Sequence, residues 1–265
     1  MLRIAEINTD TPINLLAFNE PPIAPYELVY EENGVKLKIK PIGIYAWKLF
    51  LGILIFGEKE SEGFYRNKYH EEELRAFVGV EEDLLKDLLL EVGRCCYEIE
   101  RIYYIGRRKR IDWTVKTFII AWKWWHKKGV LFLSFPSAFE PLRQAKHYLV
   151  FAHVLHSSIA LNLHAFLTIN NTLSEVKEEA LLHTARVGFL NNREREREVL
   201  RQALDELVKV GFLKGWTEKM ENGEKVFTFY RPEDQELRAK AQEILQEIEP
   251  KVQWWRGQTS CQTSC

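Results

Sequence analysis

The sequence predicts an α+β, mainly α chain: two tandem winged-helix domains joined by a long helix. Three observations predict it. A set of helical patterns leading into a β-hairpin occurs twice along the chain. Phe77-Val78-Gly79-Val80 precedes the long helix of the first set, and Arg186-Val187-Gly188-Phe189 precedes that of the second. Between the two, residues 129–173 carry only three formal charges, Glu140, Arg143 and Lys146, as a helix buried between domains or in an oligomer interface would. Two copies of one supersecondary unit account for the first two. The 265 residues suffice for two domains, and 46% hydrophobic with 12% aromatic residues supplies a core that a disordered chain lacks.

Residues 1–40 read as an irregular arm, since Pro12, Pro21, Pro22 and Pro25 prevent a long helix. Within it, Tyr26–Tyr30 and Val35–Ile39 flank Asn33-Gly34, a two-residue hairpin signal. The first domain is expected over 41–144. Its helices are Ile42–Phe56, Glu71–Phe77 (after a short strand Tyr65–Tyr69 and ended by Gly79) and Glu81 to about Cys96. In the third, Leu84, Leu85, Leu88, Leu89 and Val92 share one face, and Glu81, Glu82 and Asp83 suit the positive end of the helix dipole. Strands Glu98–Ile105 and Ile111–Ala121 follow, turned by Gly106 to Arg110, with Val130–Phe135 a third strand.

The second domain is expected over 145–232. It opens with the long helix Ala145–Phe166, followed by a helix Leu173–Thr184 that starts near Thr172 or Ser174 and is interrupted by Gly188. A strong helix Arg193–Val210 comes next, with Asn191 as N-cap, Glu194 completing a capping box and Gly211 ending it. Phe212–Trp216 and Lys225–Tyr230 then form a hairpin around Glu221-Asn222-Gly223. Residues 233–265 read as an acidic C-terminal tail that closes on a disordered repeat, Gln258 to Cys265.

Several function classes are excluded at this level. The longest apolar stretch, Ile42–Phe56, carries Lys48 and is too short to span a bilayer; with no signal peptide visible, a cytoplasmic protein without a membrane partner is expected. Four cysteines make no disulfide framework: Cys95 and Cys96 suit core packing, and Cys261 and Cys265 lack further zinc-ligand neighbours. His147, His153, His156 and His164 lie on or near one helix, and 153, 156 and 164 only loosely share a face, so neither metal nor cofactor is expected. There is no phosphate-cradling glycine loop, no dinucleotide fingerprint, no His-Glu-x-x-His and no strand-transfer tyrosine with paired histidines. An enzyme is not expected.

The formal net charge of −1 conceals a local excess: residues 101–128 hold nine Lys or Arg against Asp112 alone. Such a patch is an electrostatic footprint for nucleic acid. The third helix of a winged helix enters the major groove, where arginine reads guanine and asparagine reads adenine. Asn192, Arg193, Arg195, Arg197 and Arg201 are therefore the candidate base readers. The same alternation of Arg and Glu is also the pattern of a solvated helix surface. Candidate contacts to the DNA backbone are Arg107, Arg108, Lys109, Arg110 and Lys116 on the first hairpin and Lys219 and Lys225 on the second. The third helix of the first domain carries Asp83, Asp87 and Glu91, which repel phosphate, so that domain is expected to touch DNA through its wing and to pair with a second copy.

Over residues 41–232 the chain resembles the Rep_3-type plasmid replication initiators. The resemblance rests on the order of elements, on Ile111-Asp112-Trp113-Thr114 leading into a strand, and on Leu131-Phe132-Leu133-Ser134-Phe135-Pro136 followed by Phe139-Glu140-Pro141-Leu142-Arg143. It implies binding of double-stranded DNA at direct repeats in an origin, dimerisation through the first domain with repression of the protein's own promoter, and host replication initiator and helicase proteins as partners. A winged-helix transcriptional regulator without a replication role, or a protein-interaction module of the same fold, fits the same residues.

Overall fold

The computed structural model describes residues 28–32, 35–39, 42–56, 58–59, 66–94, 96–105, 108–118, 121–125, 130–134, 145–187, 190 and 192–262. Within them the chain is α+β and mainly helical in its core. Leu28–Glu32 (β1) and Val35–Ile39 (β2) pair antiparallel with Glu32 opposite Val35, which leaves the two-residue turn that Asn33-Gly34 predicts. Ile44–Phe56 (α1) is buried from Ala46 to Leu54, Lys48 included. A methyl group added at Gly52 would lie 2.9 Å from Phe77 Cδ1, so α1 can approach the next helix only because residue 52 has no side chain.

Glu58–Lys59 (β3) and Arg66–His70 (β4) lead without a loop into Glu71–Val78 (α2), and Glu82–Arg94 (α3) follows. Gly79 at φ 81° ends α2 in the left-handed region, and Val80 N–H closes the turn onto Arg75 O. Leu85, Leu88, Leu89 and Val92 of α3 are buried as their spacing predicts, but Leu84 is 45% exposed: the buried arc is narrower than the apolar one.

Cys96–Ile105 (β5) and Arg108–Phe118 (β6) form a long hairpin in a sheet of order β1-β2-β5-β6. Arg108, Lys109 and Arg110 are thus strand residues, opposite Ile105, Tyr104 and Tyr103, where a five-residue turn was expected. Strand β6 stops at Phe118, and Ala121–Trp125 (β7) is separate. It pairs with Val130–Ser134 (β8) in a second sheet of order β3-β4-β8-β7. The strand before α2 therefore pairs with β8 and not with the hairpin.

The long connecting helix is broken. Lys146–Leu149 (α4) runs into a 3-10 turn, Val150–His153, and a new helix, Ser158–Ile169 (α5), starts at Ser157. Ser157 Oγ accepts from Ile159 N and Ala160 N, and Glu206 accepts from His156 N at 2.6 Å and Ser157 N. Those groups hold the freed backbone donors that continuous helix would have satisfied.

In the second half Glu175–Lys177 is a strand (β9), where a helix start was expected, and Glu178–Ala185 (α6) follows at once. The break after α6 is made by Arg186 at φ 56°, with Val187 N–H on Leu182 O; Gly188 lies outside the described residues. Arg193–Lys209 (α7) is capped by Asn192, not Asn191, and ends before Gly211 at φ 82°. Gly215–Glu221 (β10) and Glu224–Tyr230 (β11) turn at Asn222-Gly223, both at positive φ, in a sheet of order β10-β11-β9. The first of these strands starts later than expected, because Phe212 and Leu213 are buried in the core.

The acidic C-terminal segment is a packed helix and not a solvated tail. Asp234–Gln262 is one helix (α8) with Pro250 inside it, and Leu237, Ala241, Ile244, Ile248 and Val252 are buried against α2, α4 and the 3-10 turn. Acids occupy only its outer face. Arg231, just before it, donates to the carbonyls of Leu167, Asn170 and Leu173 and so closes the C-terminal end of α5.

Candidate nucleic-acid interface

Asn192 sits in extended backbone at the start of α7, and its Oδ1 accepts from Glu194 N at 3.1 Å and Arg195 N at 3.2 Å. Its acceptor is therefore committed to the helix. A cap of this kind contributes about 1 kcal/mol.

The arginines of α7 fall into three situations. Arg197 grips Glu178 with a two-pronged contact, Nε to Oε1 at 2.8 Å and Nη2 to Oε2 at 2.9 Å. Arg193 donates to the same carboxylate at 3.2 Å and to Glu179, and lies 3.6 Å from Glu196. Arg201 is held by Glu218 of β10 at 2.8 and 3.1 Å. Arg195 is exposed and has no ion-pair partner among the described residues.

Burial decides how firmly each is held. The Glu178 side chain is 6% exposed, and Lys225 Nζ stands 4.0 Å from it. Burial opposes its ionisation, yet the Arg197 hydrogen bonds and the charges of Arg193 and Lys225 outweigh that and keep its pKa below the usual value. Stripping both arginines from so buried a carboxylate costs about 3–5 kcal/mol. Glu218 is 32% exposed, so releasing Arg201 costs about 1 kcal/mol or less. Arg195 and Arg201 are thus the less firmly held of the four, whereas Arg193 and Arg197 are anchored to a buried carboxylate.

On the second hairpin, Lys219 donates to Glu175 at 2.8 Å, and Lys225 lies 3.5 Å from Glu218. Both candidate backbone contacts are already paired at the surface. On the first hairpin, Arg107 lies outside the described residues. Lys116 stands opposite Glu98 within the sheet. Strand β2 covers β5 only up to Arg101, where the β5–β6 register shifts. Beyond that point Ile102–Ile105 and Arg108–Ile111 continue as a two-stranded ribbon, and Arg108, Lys109 and Arg110 are on it.

The corresponding helix of the first half differs. Counting from the first residue of each helix, Leu84 and Leu90 of α3 take the positions of Arg195 and Arg201, and both leucines are exposed. Among the described histidines, His164 is fully buried, with Nε2 on Tyr148 O at 2.7 Å; burial pushes its pKa down to about 4. His153 Nδ1 meets Phe77 O. Among the described residues no group of three His, Cys, Asp or Glu is placed to hold a metal ion, and no helix is long and apolar enough to cross a membrane.

Sequence reasoning placed the arginines and missed what they touch. Glu178 and Glu218 stand 19 and 17 residues from their arginine partners, so no local spacing announces them. No protein-family model, curated protein or solved structure matches the chain.

Proposed function

We propose that the chain binds double-stranded DNA through two winged-helix units, as an initiator of replication at repeated origin sites of the kind its sequence resembles. The observation that carries this reading is the second half: helix α5, strand β9, helices α6 and α7, then hairpin β10–β11 closing a sheet of order β10-β11-β9. That order fits the winged-helix plan, in which the third helix enters the major groove and the hairpin flanks it. The basic ribbon of the first half supplies the sequence-independent attraction to phosphate that the near-neutral α7 lacks.

We assign base reading to Arg195 and Arg201, and contact with the DNA backbone to Arg107 and to Arg108, Lys109 and Arg110 of the β5–β6 ribbon, which is a hairpin separate from the sheet that contains the strand before α2. The test is titration of a duplex from the region around its own gene, and of a scrambled duplex, against salt. Arg195→Ala/Arg201→Ala should lose the preference between the two duplexes; Arg108→Ala/Arg110→Ala should lose affinity for both and flatten the salt dependence. Exposed Leu84 and Leu90 favour a second reading, a protein-interaction module, and absence of duplex binding at low salt would put it in place of the first.

A further inference from the structure

We propose that Glu178 is a positioning residue that withholds Arg193 and Arg197 from DNA and leaves Arg195 and Arg201 as the arginines α7 presents. This rests on the DNA-binding reading above. One carboxylate engages both guanidiniums through three hydrogen bonds of 2.8–3.2 Å, and the fork on Arg197 uses the donors that would otherwise address a guanine edge or two phosphate oxygens. The carboxylate is rooted at the first residue of α6, is almost fully buried and cannot follow the arginines outward.

The first half supports the assignment by contrast. Glu71 begins α2 as Glu178 begins α6, and both are buried. The α3 positions that match Arg193 and Arg197 are Glu82 and Lys86, and Lys86 donates to Glu82 at 2.6 Å. A buried acid without the two arginines occurs where the helix carries leucines on its outer arc; the acid with both arginines occurs where the helix carries cations there. Without the clamp Arg197 would join Arg195 and Arg201 in facing a phosphate backbone, with Arg193 left to Glu179 and Glu196 alone. With it two remain, which suppresses affinity for unrelated sequence.

The experiment uses the full chain and a random-sequence duplex, with affinity measured between about 50 and 200 mM salt. Glu178→Gln should bind more tightly than wild type at the low end, by about tenfold, with a salt slope steeper by about one to two phosphate contacts. Glu178→Asp should stay near wild type. The triple variant Glu178→Gln/Arg193→Gln/Arg197→Gln should return the slope to its original value, an outcome that loosened packing alone would not produce. Binding that emerges only in Glu178→Gln also supports the clamp. If wild type binds and Glu178→Gln leaves the slope unchanged, or the triple variant keeps the steeper slope, the clamp is overturned while the DNA reading stands. If neither wild type nor Glu178→Gln binds, the DNA reading falls and takes the clamp with it.

Discussion

Glu71 and Glu178 occupy the same place in two copies of one local arrangement, and their carboxyl groups are driven in opposite directions. Each is the first residue of an eight-residue helix that follows a strand directly, and each helix closes on a valine, Val80 or Val187, whose N–H returns five residues. Glu71-Glu72-x-Leu74 matches Glu178-Glu179-x-Leu181. Beside Glu178 stand two arginines, and its pKa is lowered. Glu71 is pushed up to about 7 by burial first and by Glu82 next, with Arg75, 3.6 Å away, offsetting only part of that.

A pH dependence follows from Glu71. Because its folded pKa is raised, its share of stability is fully present below the unfolded value of about 4.5 and is lost as pH rises through about 7. The loss is on the order of 1–3 kcal/mol. Glu71→Gln, which cannot ionise, should melt with wild type near about pH 4 and above it near about pH 8. Parallel melting curves at both values would show that Arg75 already compensates the charge.

Gly52 sets the contact between α1 and α2. Glycine to alanine in a helix interior ordinarily stabilises by up to about 1 kcal/mol. Here the new methyl meets the Phe77 ring at 2.9 Å, and overpacking of that kind costs about 1–3 kcal/mol. Gly52→Ala should therefore destabilise in urea titration. Adding Phe77→Leu should recover part of the loss; additive effects of the two changes would place the strain elsewhere.

The helix α8 was legible in principle. Leu237, Ala241, Ile244, Ile248 and Val252 recur at helical spacing, but the acids between them drew the segment toward a solvated tail. Helices α2, α3 and α7 and the β1–β2 spacing were readable because their signals are local: a first-turn acid, a glycine stop, a two-residue turn. Strand β9 was not, since three residues become a strand only through β11, about fifty residues on. The ion pairs of α7 were illegible for the same reason.

Ile248 distinguishes the packed helix from a tail. It is 2% exposed on α8, and truncating a buried isoleucine to alanine costs about 2–5 kcal/mol. A residue on a detached tail would change stability by less than about 0.5 kcal/mol. Urea midpoints of Ile248→Ala against Glu249→Ala, its exposed neighbour, read the difference directly.

Lys48 and Glu206 approach the broken connection from its two sides, and their roles predict unequal costs. Lys48 comes from α1 and donates to His153 O at 3.0 Å; burial brings its pKa down to about 8, although Glu206 attracts the charge. Its methylene stem fills the core, so Lys48→Met keeps the volume, removes the cost of burying the ammonium and leaves one carbonyl without its donor. Those two effects are each about 1–3 kcal/mol and opposed, so the net change should stay within about 1 kcal/mol. Glu206 accepts from His156 N and Ser157 N at the point where helix stops. Glu206→Ala leaves both donors and the nearby ammonium unanswered and should cost about 2–4 kcal/mol. Chemical denaturation ranks the two variants. A Lys48→Met loss as large as that of Glu206→Ala would mean that the lysine charge, and not the capped backbone, holds the connection in its broken form.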